Sequence, residues 1–121
     1  MTDPYRPLKD ALGRFATGIA VAGCANRRGG VTAITINSFA SVSLEPPLVL
    51  WCLENKASSF EDFAAAQSYS ISILSDRQQH LSERFARHNP PPLSPEEYVV
   101  WKSGAPILND RLAGFDCEIV D

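Results

Sequence analysis

The sequence predicts a mainly β domain, a small β-barrel carrying peripheral helices, on three observations. Two β-rich runs, GIAVAGCA and VTAITINSFASVS, are joined by NRRGG, a Gly-containing connector of hairpin length. A continuous apolar run, LVLWCLE, follows a double proline, and YSISILS alternates strictly between apolar or aromatic residues and mostly polar ones. Short helical patterns lie beside these strands, which suits helices decorating one small sheet-built core.

Each element has its own signal. In RPLKDALGRFATG, Leu8, Ala11, Leu12 and Phe15 recur at helical spacing, with Pro7 in the first turn and Gly18 as a stop. The two runs flanking NRRGG are expected to pair antiparallel. Pro46 and Pro47 interrupt hydrogen bonding before LVLWCLE, a core strand expected to be covered on both faces. In SSFEDFAAA, Ser58 stands three residues before Glu61, a capping box that starts a helix near Ser58 or Ser59. YSISILS sets Tyr69, Ile71 and Ile73 on one face against Ser70, Ser72 and Leu74, and reads as a half-buried strand. Ser75 and Gln78 repeat the capping signal ahead of a second surface helix in which Leu81 and Phe85 are four apart. HNPPPLSPEEYVVWKSGAPILND, with five prolines, predicts an irregular excursion holding one helical turn after Ser94, either a lid or a dimer-facing arm. GFDCEIVD reads as a strand with no turn or partner after it.

The 121 residues suit one domain, and 45% hydrophobic against 21% charged residues is enough apolar mass for a core. The net charge is −3 and no basic block exceeds Arg27–Arg28, which excludes nucleic acid or an anionic membrane as the main partner. A small anionic ligand stays open, because local donors bind one without a basic surface. Cys24, Cys52 and Cys117 are odd in number and widely spaced, so they are expected as small core residues without a disulfide framework or a zinc site. The start MTDPYRPLKDAL lacks the pattern of a signal peptide, and no run reaches the roughly 18 apolar residues of a membrane span, so a cytoplasmic protein is expected.

Motifs of hydrolases, zinc proteases and P-loop proteins are absent from the sequence, and His80 and His88 are expected on the surface. Glu96 and Glu97 read as helix-start charge after Ser94. What remains is the hydroxyl-rich segment. Strand alternation puts Thr35 and Asn37 on one face and Ile36 and Ser38 on the other, with Ser41 and Ser43 farther along. Such donors and acceptors beside a bulge or strand end can read the edge of a flat heteroaromatic ring; the alternative is a solvated barrel face that caps a turn. NKASSF adds Lys56, Ser58 and Ser59 at a helix start that favours an anion such as phosphate. A ring at one end and a phosphate at the other describes a flavin nucleotide.

At these residues the chain resembles the short-chain flavin reductases, which adopt the FMN-binding split-barrel fold. The resemblance is carried by ALGRFATGIAV, TINSFASVSLEPPLVLWCLENKASSF, YSISILSDRQQHLSERFA and GAPILNDRLAGFDCEIVD, nearly the whole chain in family order. It implies an NAD(P)H:flavin oxidoreductase, a homodimer that passes reduced FMN or FAD to a partner monooxygenase. It implies that Thr35, Ile36, Asn37 and Ser38 meet the isoalloxazine and ribityl portion, with Ser41 a further candidate. Cys52 and Leu53 would flank the same pocket, Ala57, Ser58 and Ser59 would approach the phosphate, and Arg84, Phe85 and Ala86 would close the site. No side chain is assigned as proton donor, because the nicotinamide and flavin carry hydride transfer themselves. Residues 1–121 are expected to form a single domain of this kind lacking its C-terminal strands. Two departures stand out: Asn55 occupies a position that is often basic, with Lys56 one residue later, and the chain reaches Asp121 before a Gly-Asp-His-like turn. Two other functions remain as alternatives, a flavin-binding module without efficient turnover and a flavin-dependent reductase of a bound substrate such as a corrinoid.

Overall fold

A computed structural model of the chain describes residues 4, 6–7, 19–36, 40–44, 47–51 and 59–119. The helix expected in RPLKDALGRFATG lies almost wholly outside the described residues. Strands β1 (Ala20–Ala25), β2 (Val31–Ile36), β5 (Ser68–Ile73) and β8 (Ala113–Glu118) form one antiparallel sheet in the order β2-β1-β5-β8. β3 (Ala40–Leu44) pairs with β4 (Pro47–Leu50), and β6 (Tyr98–Val100) pairs with β7 (Pro106–Leu108). Among the described residues, the six-residue helices α1 (Phe60–Ala65) and α2 (Gln79–Arg84) lie beside the strands, in the mainly β fold with peripheral helices that the sequence predicts.

The β1–β2 hairpin forms as expected, in register from Ala20 opposite Ile36 to Ala25 opposite Val31. Asn26 organises its turn: the side-chain oxygen accepts the Arg28 and Gly30 amides, both at 3.0 Å, and Gly29 supplies the positive φ of 84°. Strand alternation then sends side chains to two cores. Ala20, Ala22, Cys24, Ile36, Ile71 and Ile73 pack with Phe63 of α1 on one face, joined by the partly buried Val49 and Trp51. Trp51 meets Phe63 and Tyr69 edge-on, with ring centroids 5.2 and 5.7 Å apart. On the other face Val21, Ala33 and Leu74 pack with Leu81 and Phe85, and with Leu93 and Leu108 from the proline-rich excursion.

That second core corrects two expectations. β5 is buried on both sides rather than half-buried, because the excursion folds over its serine face. Ser70 and Ser72 are fully buried; Ser70 Oγ donates to the Gly23 and Pro106 carbonyls, and Ser72 Oγ accepts the Leu108 amide at 3.0 Å. The hydroxyls are there to satisfy backbone groups of an incoming strand, which short-range alternation cannot distinguish from solvation. The excursion is also less irregular than expected: besides the helical turn Pro95–Glu97 it contains the β6–β7 hairpin, whose three-residue strands carry too little pattern to read. The expected strand in GFDCEIVD forms as β8 and pairs with β5, from Ser68 opposite Glu118 to Ile73 opposite Ala113. The partner comes earlier in the chain, so no hairpin signal marks the pairing.

The packing is tight where Gly23 passes β7. A Cβ at Gly23 would lie 2.6 Å from Pro106 Cγ and 3.0 Å from Ser70 Oγ. Among the described cysteines, Cys24 is buried and Cys117 half-buried, both free, and burial pushes their thiols up to about 12 and about 11. No described helix is long and apolar enough to cross a membrane. Among the described residues no group of three or more His, Cys, Asp or Glu side chains is gathered that could hold a metal ion. His80 and His88 are exposed.

Candidate functional site

The end of β2 is fastened to the C-terminal end of α2. The Thr35 amide donates to the Phe85 carbonyl at 3.1 Å, and Thr35 Oγ1 donates to the Ser82 carbonyl at 2.7 Å. Carbonyls in the last turn of a helix have no partner within it, so a threonine from a neighbouring strand can accept that role as donor. Two of the segments expected at the site, one around Thr35 and the other at Arg84–Ala86, are thereby held against each other. Phe85 is 2% exposed and anchors this junction in the second core. The Ile36 side chain points the other way, into the first core.

Arg84 is committed elsewhere. Its guanidinium pairs with both oxygens of Glu97, Nη1 to Oε2 at 2.9 Å and Nη2 to Oε1 at 3.2 Å, and donates to the Pro91 and Pro92 carbonyls. It also lies 4.8 Å from the centre of the Phe85 ring. Glu97 in turn accepts the Ser94 amide at 2.9 Å. Arg84, with further support from Ser94, holds the Glu97 carboxyl below the ordinary carboxylate range despite partial burial. Glu97 therefore does more than start a helical turn: it straps the proline-rich arm onto α2. Ala86 is exposed beyond this strap.

Ser59 is the N-terminal cap residue of α1, as the capping signal near Ser58 or Ser59 expects. Its Oγ makes no cap hydrogen bond and is buried with no partner. An unsatisfied buried hydroxyl costs about 1–3 kcal/mol, so its persistence marks a place where a ligand group can supply the missing bond. Ser41 lies in β3, where the pairing with β4 slips between Ser41 and Ser43, a bulge in the hydroxyl-rich segment. Asn37, Ser38, Cys52, Leu53, Ala57 and Ser58 lie outside the described residues, as do Asn55 and Lys56.

A cleft of about 590 Å³ is lined by Ser59 and Phe85 and by residues of the β1–β2 turn. Sequence reasoning missed it. At its turn end Asp62 Oδ1 and Oδ2 accept Arg28 Nη1 and Nη2 at 3.3 and 2.9 Å, and Thr32 Oγ1 donates to Oδ2 at 2.7 Å. Burial alone would raise the Asp62 carboxyl, but the Arg28 and Thr32 donors outweigh it and hold the group below its ordinary range. The signal in the sequence was the pair Arg27–Arg28 inside a glycine turn, whose acidic partner lies more than 30 residues away.

The sequence and the fold match known proteins. The flavin reductase like domain matches residues 12–121. SmoA of Agrobacterium fabrum, an FMN reductase (NADH), is 38% identical over 112 residues, which cover 93% of this chain and 63% of SmoA. The chain spans about half the length of the curated relatives it matches. Among solved structures, the NADH:FAD oxidoreductase SgcE6 of Streptomyces globisporus C-1027, in complex with NAD and FAD fragments, superposes with a TM-score of 0.77 at 28% identity, covering 100% of this chain and 74% of that one. The styrene monooxygenase flavin reductase of Pseudomonas putida S12 gives 0.75 at 30% identity, covering 86% of this chain and 68% of that one. These neighbours are of the split-barrel type, the fold class the sequence predicts. With the family's domain matched across all but the first 11 residues, this chain belongs to the flavin reductase like domain family.

Proposed function

We propose that the chain forms the flavin-binding part of an NAD(P)H-dependent flavin reductase that supplies reduced FMN or FAD to a partner monooxygenase, acting in the cytoplasm as a homodimer. The observation that carries this reading is the match of the flavin reductase like domain to residues 12–121. SmoA and SgcE6, an NADH-linked FMN reductase and an NADH:FAD oxidoreductase, support the cofactors, and the styrene monooxygenase reductase supports the partner.

The donor set fits a flavin. Ser59 offers a buried, unpaired hydroxyl beside the segment Ala57–Ser59 expected at the phosphate. Thr35, Ile36, Asn37, Ser38 and Ser41 would line the ring and ribityl chain, with Cys52 and Leu53 beside them. Backbone amides of that strand would stabilise negative charge on the reduced ring. Phe85 and Ala86 would close the site, held by the Thr35 hydrogen bonds, while Arg84 acts from behind by fixing the arm. When bound, the flavin accepts the hydride that the reduced nicotinamide gives up, so the protein's task is to stack and orient the two rings.

The test is to titrate purified protein with FMN and FAD and to follow NADH and NADPH oxidation with each flavin present. Oxidation that depends on added flavin is expected. Flavin binding without oxidation of either nucleotide would reduce the chain to a binding module, and no flavin binding would overturn the reading.

A further inference from the structure

Among the described residues Asp62 is the only charged side chain that is buried, at 9% exposure. Its side-chain hydrogen bonds run to the β1–β2 hairpin, two from Arg28 in the turn and one from Thr32 in β2. Asn26 extends the network: its Nδ2 donates to Thr32 Oγ1 at 3.1 Å, while its Oδ1 accepts the Arg28 and Gly30 amides. Burying a carboxylate is costly even when it is paired. The hairpin does not need it for closure, because the strand register and the Asn26 bonds already supply that.

What Asp62 adds is a tie between the hairpin and α1. That helix has six residues, too few to hold its shape alone, and its apolar anchor is Phe63, buried in the first core beside Trp51. Consecutive helix positions diverge by about 100°, so Phe63 and Asp62 face different walls. A single anchor leaves a helix free to roll about its axis; two anchors in different directions fix it. Ser59 stands three residues before Asp62 on the same face, and its carbonyl accepts the Phe63 amide at 3.2 Å, so it turns with the pair.

We infer that Asp62, held by Arg28 and Thr32, is a positioning residue: it sets the roll of α1 and thereby aims the buried, unpaired Ser59 hydroxyl at the phosphate of a flavin nucleotide. The inference rests on the flavin reading above, which expects Ser59 at that phosphate. Asp62 acts through Ser59 and touches no part of the ligand itself.

Asp62→Asn and Arg28→Ala each break the tie and leave Ser59 itself unchanged. FMN and riboflavin, which differ by the phosphate, are titrated with wild type and both variants, and binding is followed by flavin fluorescence. FMN affinity is expected to fall about tenfold in each variant, as for one lost hydrogen bond to a charged group, while riboflavin affinity stays within about twofold. The direction of change in Asp62→Asn separates aim from charge. Neutralising a carboxylate near the site would, by electrostatics alone, tighten the hold on an anionic phosphate, so weaker FMN binding requires a positional cause. The inference is overturned if Asp62→Asn binds FMN as tightly as wild type or more tightly, or if riboflavin affinity falls in step with FMN, the mark of general loosening. Either result in a protein whose wild type binds FMN leaves the flavin reading standing, whereas a wild type that binds neither flavin removes both.

Discussion

Replacing Glu97 by glutamine isolates the strap that holds the proline-rich arm. The substitution keeps the size of the side chain and one acceptor oxygen for Ser94, but removes the charge that faces Arg84. Exposed ion pairs contribute about 0–1 kcal/mol and hydrogen bonds to charged groups about 1.5–3 kcal/mol. The Arg84 and Glu97 side chains are 22% and 29% exposed, between these cases, and solvent screening trims the upper figure. A loss of about 1–2 kcal/mol at neutral pH is expected. The pH dependence gives the stricter test. Arg84 lowers the folded pKa of Glu97, so the pair's stabilisation is fully present above the unfolded value of about 4.3 and is lost as pH falls through the lower folded value. Urea unfolding of wild type and Glu97→Gln should therefore differ by the full amount near pH 7 and converge at the acid end of the profile. Asp62 is also held below its ordinary range, but it titrates in both proteins and cancels in the difference. A gap that stays constant from neutral to acid pH, or no gap at pH 7, would refute the reasoning.

Other outcomes follow from named contacts. Gly23→Ala would push a Cβ to 2.6 Å from Pro106 Cγ and should destabilise the fold by about 1–3 kcal/mol in urea unfolding; an unchanged midpoint would contradict the close approach of β1 and β7. Ser70→Ala removes the buried hydroxyl shared by the Gly23 and Pro106 carbonyls and should lower stability by about 1–3 kcal/mol, measured in the same way. Asn37→Ala and Ser38→Ala should weaken flavin binding by roughly 1–3 kcal/mol while leaving the unfolding midpoint in place, and equal flavin affinity in wild type and both variants would remove that strand from the site. Thr35→Val breaks the bond to the Ser82 carbonyl and should cost about 0.5–1.5 kcal/mol of stability, with flavin affinity falling as the β2–α2 junction loosens.

The elements readable from sequence were those with local signals. NRRGG specified a hairpin because Asn26 and Gly29 satisfy the turn's backbone within five residues. The helix starts at Ser59 and near Ser75 followed from short capping patterns, although the structure uses them unequally. Gln78 returns its side chain to the Ser75 amide at 2.9 Å, a bond with no counterpart at Ser59, and the hydroxyls of both serines are buried without a partner. Less was readable where partners are distant. Arg84 sits in a segment that suggested a ligand contact, and only the folded chain brings Glu97 to its guanidinium. Ser70 and Ser72 have the spacing of a solvated face, and only the arrival of Pro106–Leu108 makes them interior.

By itself the sequence determined the mainly β class, the paired strands around NRRGG, the absence of hydrolase motifs in these 121 residues and the hydroxyl-rich segments that resemble a flavin site. These depend on periodicity, turn chemistry and capping, all written within a few residues of one another. Tertiary structure alone decided that β5 is covered on both faces, that Arg84 holds the arm, and that Arg28 finds Asp62 at the turn end of the cleft. The reason is physical: burial and ion pairing depend on which distant segments the two cores bring into contact, and strand alternation does not encode what arrives on each face.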